Sequence, residues 1–156
     1  MDQVTISKIA LLHPKLRAEA LEIYRVICTR LTGRAQVRFS WTYRTEKEQN
    51  DLFTIGRTIP GKKVTNSRAG ESYHNYGLAI DIVLIIDGKK ASWEDVVDFD
   101  NDGIADWSEI VSIFKQYGWK WGGDWRFKDS PHFEKTFGLS IVDLKTISKD
   151  KMGYFL

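Results

Sequence analysis

Two short stretches, GESYHNYGLAID and FKDSPHFE, carry the side chains with the clearest chemistry in this sequence. The first holds His74 and, further along, Asp81, and the second holds Asp129 and His132. Two imidazoles and one carboxylate form a ligand set that suits a catalytic zinc ion with a fourth position left to water. Another carboxylate beside such an ion can serve as a general base. The residue types therefore predict metal-assisted hydrolysis, with His74, Asp81 and His132 as the ligands.

The carboxylate of Asp81 lies within an apolar run, LAIDIVLII, that is typical of a buried strand. An ionised carboxylate in such surroundings is destabilising unless it is paired, protonated or bound to a metal. His74 is separated from it by Gly77, which permits a bend that would let both side chains converge. This pair alone also fits an ordinary structural hydrogen bond, and it is the second histidine, His132, that favours a metal.

The candidate general base is Asp129. Pro131 fixes its own φ and pushes Ser130 toward an extended conformation, and this kink would set Asp129 beside the second histidine. Glu134 and Glu71 are the alternatives on composition, and the spacing favours Asp129 over both.

A second acidic motif, DFDNDGIADWSE at residues 98–109, fits the twelve-residue calcium loop of an EF-hand. The alternative is an acidic surface turn, but five carboxylates this close repel one another, which favours a bound cation. A helix is expected after the loop and a short one, SWEDVV with Ser92 as N-cap, before it. No second loop exists to form a paired sensor domain. The expected calcium ligands are Asp98, Asp100, Asp102, the carbonyl of Ile104, Asp106 and Glu109.

The first long helix is predicted over residues 14–31, because Pro14 suits a first turn and apolar residues recur at helical spacing. Gly33 lies where a C-cap glycine belongs. His13 is interpreted as a cap or a surface residue. The apolar face of the helix consists of Leu16, Ala20, Ile23, Ile27 and Leu31.

The following segments should position the polar residues. Alternation in QVRFSWTYR predicts a half-buried strand that leads to Arg44, and Thr45 and Glu48 have the spacing of a capping box at the start of a helix. The long segment GRTIPGKKVTNSRAGES is predicted to be an ordered functional loop, and DGKK a turn. Another amphipathic helix is expected over residues 107–117, ending at Gly118. These elements predict an α+β fold with a small, mostly antiparallel sheet flanked by helices.

Composition restricts the class of protein. The 156 residues suit one domain, residues 1–156, and the net charge of +2 comes from scattered rather than clustered basic residues, so nucleic acid is not an expected partner. No apolar run is long enough to insert into a membrane. The single cysteine, Cys28, excludes an internal disulfide and is expected to be a buried, inert thiol. The N-terminus lacks a secretory pattern, so we expect a cytoplasmic protein until release.

Several motifs resemble one known family. SYHNYGLAID fills every position of the Ser-x-His-x-x-Gly-x-Ala-x-Asp signature of the LAS-type zinc peptidases, which cleave peptidoglycan. YRTEKEQ, GRTIPGKKVTNSRAGESYHNYGLAID and WKWGGDWRFKDSPHFE resemble the L-alanyl-D-glutamate endopeptidase branch, which occurs in phage endolysins and bacterial cell-wall enzymes. The resemblance covers roughly residues 35–137. It implies the Hedgehog/D-Ala-D-Ala-peptidase-like fold and a zinc peptidase.

The resemblance also implies roles for individual residues. Zinc would be bound by the two histidines and Asp81, and Asp129 would be the general base. The resemblance therefore favours Asp129 over Glu134 as the base. Arg44 and Gln49 would face the cleft, where Arg44 suits a substrate carboxylate or a developing oxyanion. Ser72 would lie beside the metal. The aromatic residues Trp119, Trp121 and Trp125 are interpreted as core and rim packing rather than as part of the site.

The expected activity is hydrolysis of peptidoglycan stem peptides at the L-alanyl-D-glutamate bond by a monomer. One alternative is a D-Ala-D-Ala carboxypeptidase or dipeptidase of the same family; the dipeptidase branch uses a glutamate as base, so Asp129 favours the endopeptidase branch. Another is a non-catalytic module that binds the cell wall or calcium. The intact set of two histidines and two aspartates argues against the non-catalytic module.

Overall fold

The computed structural model of the protein describes residues 1–156. The chain forms five strands and five α-helices, with two short 3-10 helices near the polar motifs. The helices are α1 Gln3–Ile9, α2 Pro14–Arg30, α3 Glu46–Thr54, α4 Asp106–Gln116 and α5 Ile141–Thr146, and the 3-10 helices are Tyr73–Tyr76 and Gly122–Asp124. The strands are β1 Ala35–Trp41, β2 Ala79–Ile86, β3 Lys90–Ser92, β4 Lys120–Trp121 and β5 His132–Glu134.

The five strands form one sheet in which every pairing is antiparallel. The order is β1-β2-β5-β4, and β3 pairs with the far end of β2. Asp81 on β2 lies opposite His132 on β5, and a bulge in β1 brings Trp41 opposite Asp81 from the other side. The register of the central strand therefore places the anomalous aspartate beside the second histidine.

Helices α2 and α4 pack together against the sheet around one cluster of 26 buried apolar residues. The apolar face predicted for α2 is buried throughout, from Leu16 to Leu31. The same holds for α4, where Trp107 and Phe114 are almost fully buried. The predicted capping box of α3 is present, since the Thr45 side chain accepts from the Glu48 amide and the Glu48 side chain accepts from the Thr45 amide. The α+β prediction is confirmed, and no helix is both long and apolar enough to cross a membrane.

Three local predictions need correction. The segment SWEDVV forms no helix, and the acidic loop is entered from an irregular stretch after β3. Gly33 is not a left-handed C-cap; a Cβ there would lie 2.6 Å from the carbonyl oxygen of Phe99, so the glycine permits close packing of the acidic loop. Cys28 is exposed rather than buried. His13 caps α2 as predicted but is buried, since its Nε2 lies 2.8 Å from the carbonyl oxygen of Phe155.

Candidate active site

Three side chains from separate elements converge at one end of the central strand. His74 lies on the first 3-10 helix, Asp81 on β2 and His132 at the start of β5. His74 Nε2 is 3.1 Å and His132 Nδ1 is 3.2 Å from the same oxygen, Oδ1 of Asp81. Gly77 ends the 3-10 helix with φ +70°, a conformation that glycine adopts without strain, and it turns the chain into β2. The predicted convergence is therefore present.

Each imidazole is oriented by a second hydrogen bond. His74 Nδ1 lies 2.8 Å from the carbonyl oxygen of Thr42, and His132 Nε2 lies 2.8 Å from Oε1 of Glu134. Donation to these oxygens leaves His74 Nε2 and His132 Nδ1 as the free ring nitrogens, both directed at Asp81. Such outer partners fix the tautomer of a metal-binding histidine and raise its basicity.

The arrangement fits a zinc ion. Both histidine nitrogens lie close to Oδ1 of Asp81, at 3.1 Å and 3.2 Å. These separations are near the roughly 3.3–3.6 Å between tetrahedral ligands whose bonds to zinc are about 2.0–2.2 Å long. His74 Nε2 is buried and makes no hydrogen bond, so a lone pair in the protein interior is left for a ligand. Two nitrogens and one carboxylate oxygen form a donor set that zinc prefers. His74, Asp81 and His132 would hold it.

The electrostatics favour an ionised Asp81. Burial alone would oppose its charge, but the His74 and His132 side chains outweigh burial and hold the pKa of Asp81 well below its usual range. Burial also acts against a charged His132, yet the hydrogen bonds that its ring donates to Asp81 and Glu134 prevail and raise the pKa of that imidazole to about 9. The cleft therefore stabilises the negative charge that a metal ligand needs.

Asp129 lies at the edge of this cluster. Its Oδ2 is 3.9 Å from His132 Nδ1, and its side chain is half-exposed to the cleft. Partial burial and the charge of Asp81 raise the pKa of Asp129, which suits a group that must accept a proton. The Asp129 amide donates to the carbonyl oxygen of Gly122 at 2.9 Å. A Cβ on Gly122 would lie 2.3 Å from the Asp129 carbonyl oxygen, so only glycine permits this approach.

The two other candidate bases have other partners. Glu134 is almost fully buried and accepts from His132 Nε2, on the side of the ring that faces away from Asp81. Glu71 lies at the rim of the cleft and forms an ion pair with Lys145. Glu134 is thus the residue that orients a ligand, a role that sequence reasoning missed. Its position two residues after His132 in a strand, which puts both side chains on one face, is the signal that could have indicated it.

Arg44 is buried beside the cluster. Its Nη2 lies 3.7 Å from Oδ2 of Asp81, its guanidinium lies 4.5 Å from the ring centre of Trp41, and its Nε makes no hydrogen bond. Burial lowers the pKa of Arg44, while the charge of Asp81 opposes that shift. The side chain lines the cleft as the resemblance implied.

The expectation that Gln49 also faces the cleft needs correction. Gln49 is fully buried, lies outside the cleft lining and accepts from Arg44 Nη1 at 2.9 Å through Oε1. Its Nε2 donates to the carbonyl oxygen of Ser67 at 2.7 Å. Gln49 therefore positions Arg44 and the loop. Ser72 does line the cleft, and its hydroxyl accepts from the His74 amide at 3.2 Å.

The site opens into a cleft with a volume of about 380 Å³. One wall is the loop predicted to be functional, which contributes Val64, Thr65 and Ser67. Trp125 also lines the cleft, with its ring centre 5.2 Å from that of His132, so it is not simply rim packing. The full lining is Arg44, Val64, Thr65, Ser67, Glu71, Ser72, Tyr73, His74, Asp81, Trp125, Asp129, His132 and Glu134.

The acidic loop at residues 98–109 has the turn that its sequence predicts. Oδ2 of Asp98 accepts from the Gly103 amide at 2.9 Å, and Gly103 has φ +91°. Asp98, Asp100 and Asp106 offer oxygens within 4.8 Å of one another, and so do Asp100, Asp102 and Glu109. Burial, then the charges of Asp102 and Asp100, raise the pKa of Glu109 to about 7. Ile104, the expected carbonyl ligand, has an exposed side chain.

The fold and the site together define a small antiparallel-sheet protein with a cluster of two histidines and one aspartate that could hold a metal, lining an open cleft. Residues 65–135 match the model of a peptidase family described as D-alanyl-D-alanine carboxypeptidase. This part of the chain holds both histidines and both aspartates of the site.

Two individual proteins are similar to this chain. Over 93 residues it is 50% identical to the peptidoglycan L-alanyl-D-glutamate endopeptidase CwlK of Bacillus subtilis (strain 168), a match that spans 59% of this chain and 56% of CwlK. The chain thus covers little more than half of that relative. The crystal structure of the L-Ala D-Glu endopeptidase ChiX of Serratia marcescens superposes with a TM-score of 0.59 at 21% identity, covering 88% of this chain and 90% of ChiX. The predicted fold and the resemblance to peptidoglycan peptidases are confirmed.

Proposed function

We propose that the protein is a zinc metallopeptidase that hydrolyses peptidoglycan stem peptides at the bond between L-alanine and D-glutamate. The observation that carries the proposal is the convergence of His74, Asp81 and His132 on one point in an open cleft, with Asp129 beside them. The choice of bond rests on the 50% identity to an L-alanyl-D-glutamate endopeptidase.

The residues of the chain divide the work of hydrolysis. Bound zinc would act as a Lewis acid and make a water molecule acidic enough to attack an amide near neutral pH. Asp129 accepts the proton of that water at its carboxylate and delivers it to the leaving amine. Arg44 presents a buried cation to the negative charge that develops on the amide oxygen, and Gln49 and Trp41 keep that guanidinium in place.

The shape and charge of the cleft suit a stem peptide. The opening is wide and largely polar, and Trp125 and Val64 provide apolar contacts in its lining. The Ser67 hydroxyl on the loop is available to hydrogen-bond an extended peptide, whereas the Ser67 carbonyl and the Thr65 hydroxyl already accept from Gln49 Nε2. A peptide bound along this groove would pass its scissile amide over the ligand cluster.

The decisive experiment is mass spectrometry of fragments released from purified peptidoglycan by the zinc-loaded protein. Cleavage at the proposed bond leaves L-alanine on the muramic acid and frees the amino group of D-glutamate. Release of single D-alanine residues would instead identify a D-alanyl-D-alanine carboxypeptidase, the activity named by the matching family. If neither product forms while the protein still sediments with the wall, a non-catalytic binding module is the better description.

The proposal also includes a lytic role like that of an endolysin, in which the protein reaches the wall after release from the cytoplasm. Protein added from outside should then lyse cells whose peptidoglycan is accessible. A matched sample of Asp129→Ala should leave the cells intact. Equal lysis by both proteins would contradict an enzymatic cause.

A further inference from the structure

The acidic loop at residues 98–109 contains three carboxylate oxygens that are buried without a partner, one each on Asp100, Asp106 and Glu109. Asp106 and Glu109 are 0% and 3% exposed, and neither Oδ2 of Asp106 nor Oε2 of Glu109 makes a hydrogen bond. A buried, unpaired carboxylate is strongly unfavourable, so side chains held this way are normally neutralised by a proton, a cationic side chain or a metal. The absence of partners points to a ligand.

The side chains of Asp106 and Glu109 are directed into the cluster formed by the rest of the loop. Asp106 belongs to the group with Asp98 and Asp100, and Glu109 to the group with Asp100 and Asp102. No lysine or arginine forms an ion pair with any of the five carboxylates. A set of oxygen donors alone, at the spacing of a twelve-residue loop, is the coordination that calcium prefers.

We propose that residues 98–109 bind one calcium ion, and that the bound ion holds in place the segment that carries Asp129 and His132. The site is separate from the zinc centre and lies outside the proposed hydrolytic chemistry. The occupant is a divalent cation with a preference for calcium over magnesium, because calcium takes six to eight oxygens in flexible geometry and the loop offers five carboxylates, whereas magnesium usually keeps several waters.

The connection between the loop and the cleft runs through one indole. Trp107 lies between the two buried carboxylates in sequence and is itself 1% exposed. Its Nε1 donates to the carbonyl oxygen of Ser130 at 3.2 Å, and Ser130 directly follows Asp129. The hydroxyl of Ser130 donates to Oδ2 of Asp95 at 2.8 Å, in the stretch that enters the loop. A residue within the loop and one just before it therefore both hold residue 130.

Without a cation, the five carboxylates repel one another and push the start of α4 away from the entering stretch. Both groups that hold Ser130 then lose their fixed spacing, and the segment with Asp129 becomes more mobile. With calcium bound, Asp106 and Glu109 fix the first turn of α4, and Trp107 is fixed with it. Trp121 Nε1 donates to the same carbonyl oxygen at 2.7 Å but lies outside the loop, and Lys115 over its ring lies in the last turn of α4, so Trp121 provides a matched control.

Binding is tested by isothermal titration of the zinc-loaded protein with calcium chloride, with magnesium chloride in parallel. We expect one calcium site with a Kd between about 10⁻⁷ and 10⁻³ M and weaker binding of magnesium. Glu109→Gln should weaken calcium binding at least tenfold. Asp51→Asn, which removes an exposed acid from α3, should not change it. Absence of both heat and a shift in melting temperature at about 10 mM calcium, tenfold above the weakest such sites, would overturn the proposal.

The effect on the cleft is tested by hydrogen exchange of peptides that span residues 127–134. The amides of Asp129 and His132 are hydrogen bonded within this region and report its opening. Calcium should slow their exchange in the parent protein. In Trp107→Phe the slowing should be clearly smaller although calcium still binds, with the Ser130–Asp95 hydrogen bond as the remaining link, whereas Trp121→Phe should exchange faster but keep the full calcium-induced slowing.

If Trp107→Phe does not fold, Glu109→Gln tests the link between the loop and the cleft. Exchange in that variant should not respond to calcium at concentrations that saturate the parent. Exchange unchanged by saturating calcium in the parent would overturn the link between the two sites. Neither readout needs hydrolysis, so failure of the proposed peptidase activity would leave both results interpretable.

Discussion

The ligands of the cleft come from three separate elements, whereas the carboxylates of the acidic loop come from twelve consecutive residues. In the cleft, the sheet register sets Asp81 opposite His132, and each imidazole is fixed by a protein oxygen. In the loop, Asp106 and Glu109 each keep a buried oxygen without any partner. The cleft is therefore assembled by the fold, while the loop depends on what it binds.

The same difference governs the charges. In the cleft, the two imidazoles hold the pKa of Asp81 well below its usual range, although burial opposes this. In the loop, burial and then neighbouring aspartates raise the pKa of Glu109 to about 7. One carboxylate is stabilised as an anion by its surroundings and the other is destabilised. From this contrast we expect the cleft to keep its geometry without a bound metal, and the loop to lose its geometry without a bound cation.

The largest expected effect follows from removing a cleft ligand. His132→Ala should abolish both zinc binding and hydrolysis, because one of three ligands is lost. A metal contributes several kcal/mol of transition-state stabilisation, so the rate should fall by at least about 10³-fold. Zinc content by plasma emission spectrometry and muropeptide hydrolysis check this. His13→Ala, which removes a histidine outside the cleft, should retain zinc even if the melting temperature falls.

The next effect separates chemistry from metal binding. Asp129→Ala should lower hydrolysis by about 10²–10⁴-fold, the usual contribution of a general base, while zinc content remains near one per chain. Glu71→Gln is the matched variant at the same cleft, and it should keep most of the activity because Glu71 pairs with Lys145. Loss of zinc in the Asp129 variant would place that carboxylate among the ligands. Equal loss of activity in both variants would leave no special role for Asp129.

Much of the site was predictable because its residue types are rare in their surroundings. Asp81 is the one carboxylate in its apolar run, and only three histidines occur in the chain. The capping box of α3 and the apolar faces of α2 and α4 follow from local spacing alone. The calcium loop motif is contiguous, so its turn could be predicted without knowledge of the fold.

The partners of these residues were not predictable, because they depend on tertiary contacts. Thr42 contributes only a backbone carbonyl to His74, and no sequence pattern specifies which carbonyl lies there. Gly122 is required by the backbone of Asp129, a contact that exists only once the chain has folded. Gly33 was misinterpreted for the same reason, since the acidic loop that excludes a side chain there lies far along the sequence.

A smaller effect is expected from the outer partner of a ligand. Glu134→Gln keeps the shape of the side chain but removes the charge that accepts from His132 Nε2. Loss of such partners typically lowers metal affinity by about 10–100-fold, so zinc affinity should fall by that factor while saturating zinc restores hydrolysis. Competition with a chromophoric chelator measures the affinity. Unchanged affinity would mean that the sheet alone orients the imidazole, which would strengthen the contrast with the loop.

The smallest effect should appear in the loop as a dependence of stability on pH. Because the pKa of Glu109 is about 7 in the folded protein and about 4.5 when unperturbed, the folded state holds the proton more tightly. The stabilisation that the folded state gains from protonated Glu109 is complete below about pH 4.5 and is lost as pH rises through about 7. Each 1 kcal/mol lost lowers the melting temperature by roughly 2–4 °C in a chain of this size.

The calcium-free parent protein should therefore melt at a lower temperature at pH 8 than at pH 5. This drop in melting temperature should be larger in the parent than in Glu109→Gln. Glu94→Gln, an exposed acid that precedes the loop, should behave like the parent. Added calcium binds the ionised carboxylate, so it should reduce the difference between the two pH values in the parent and have little effect in Glu109→Gln. A pH dependence that is the same in all three proteins would show that the loop carboxylates are already neutralised within the fold, and the contrast between the two regions would then be lost.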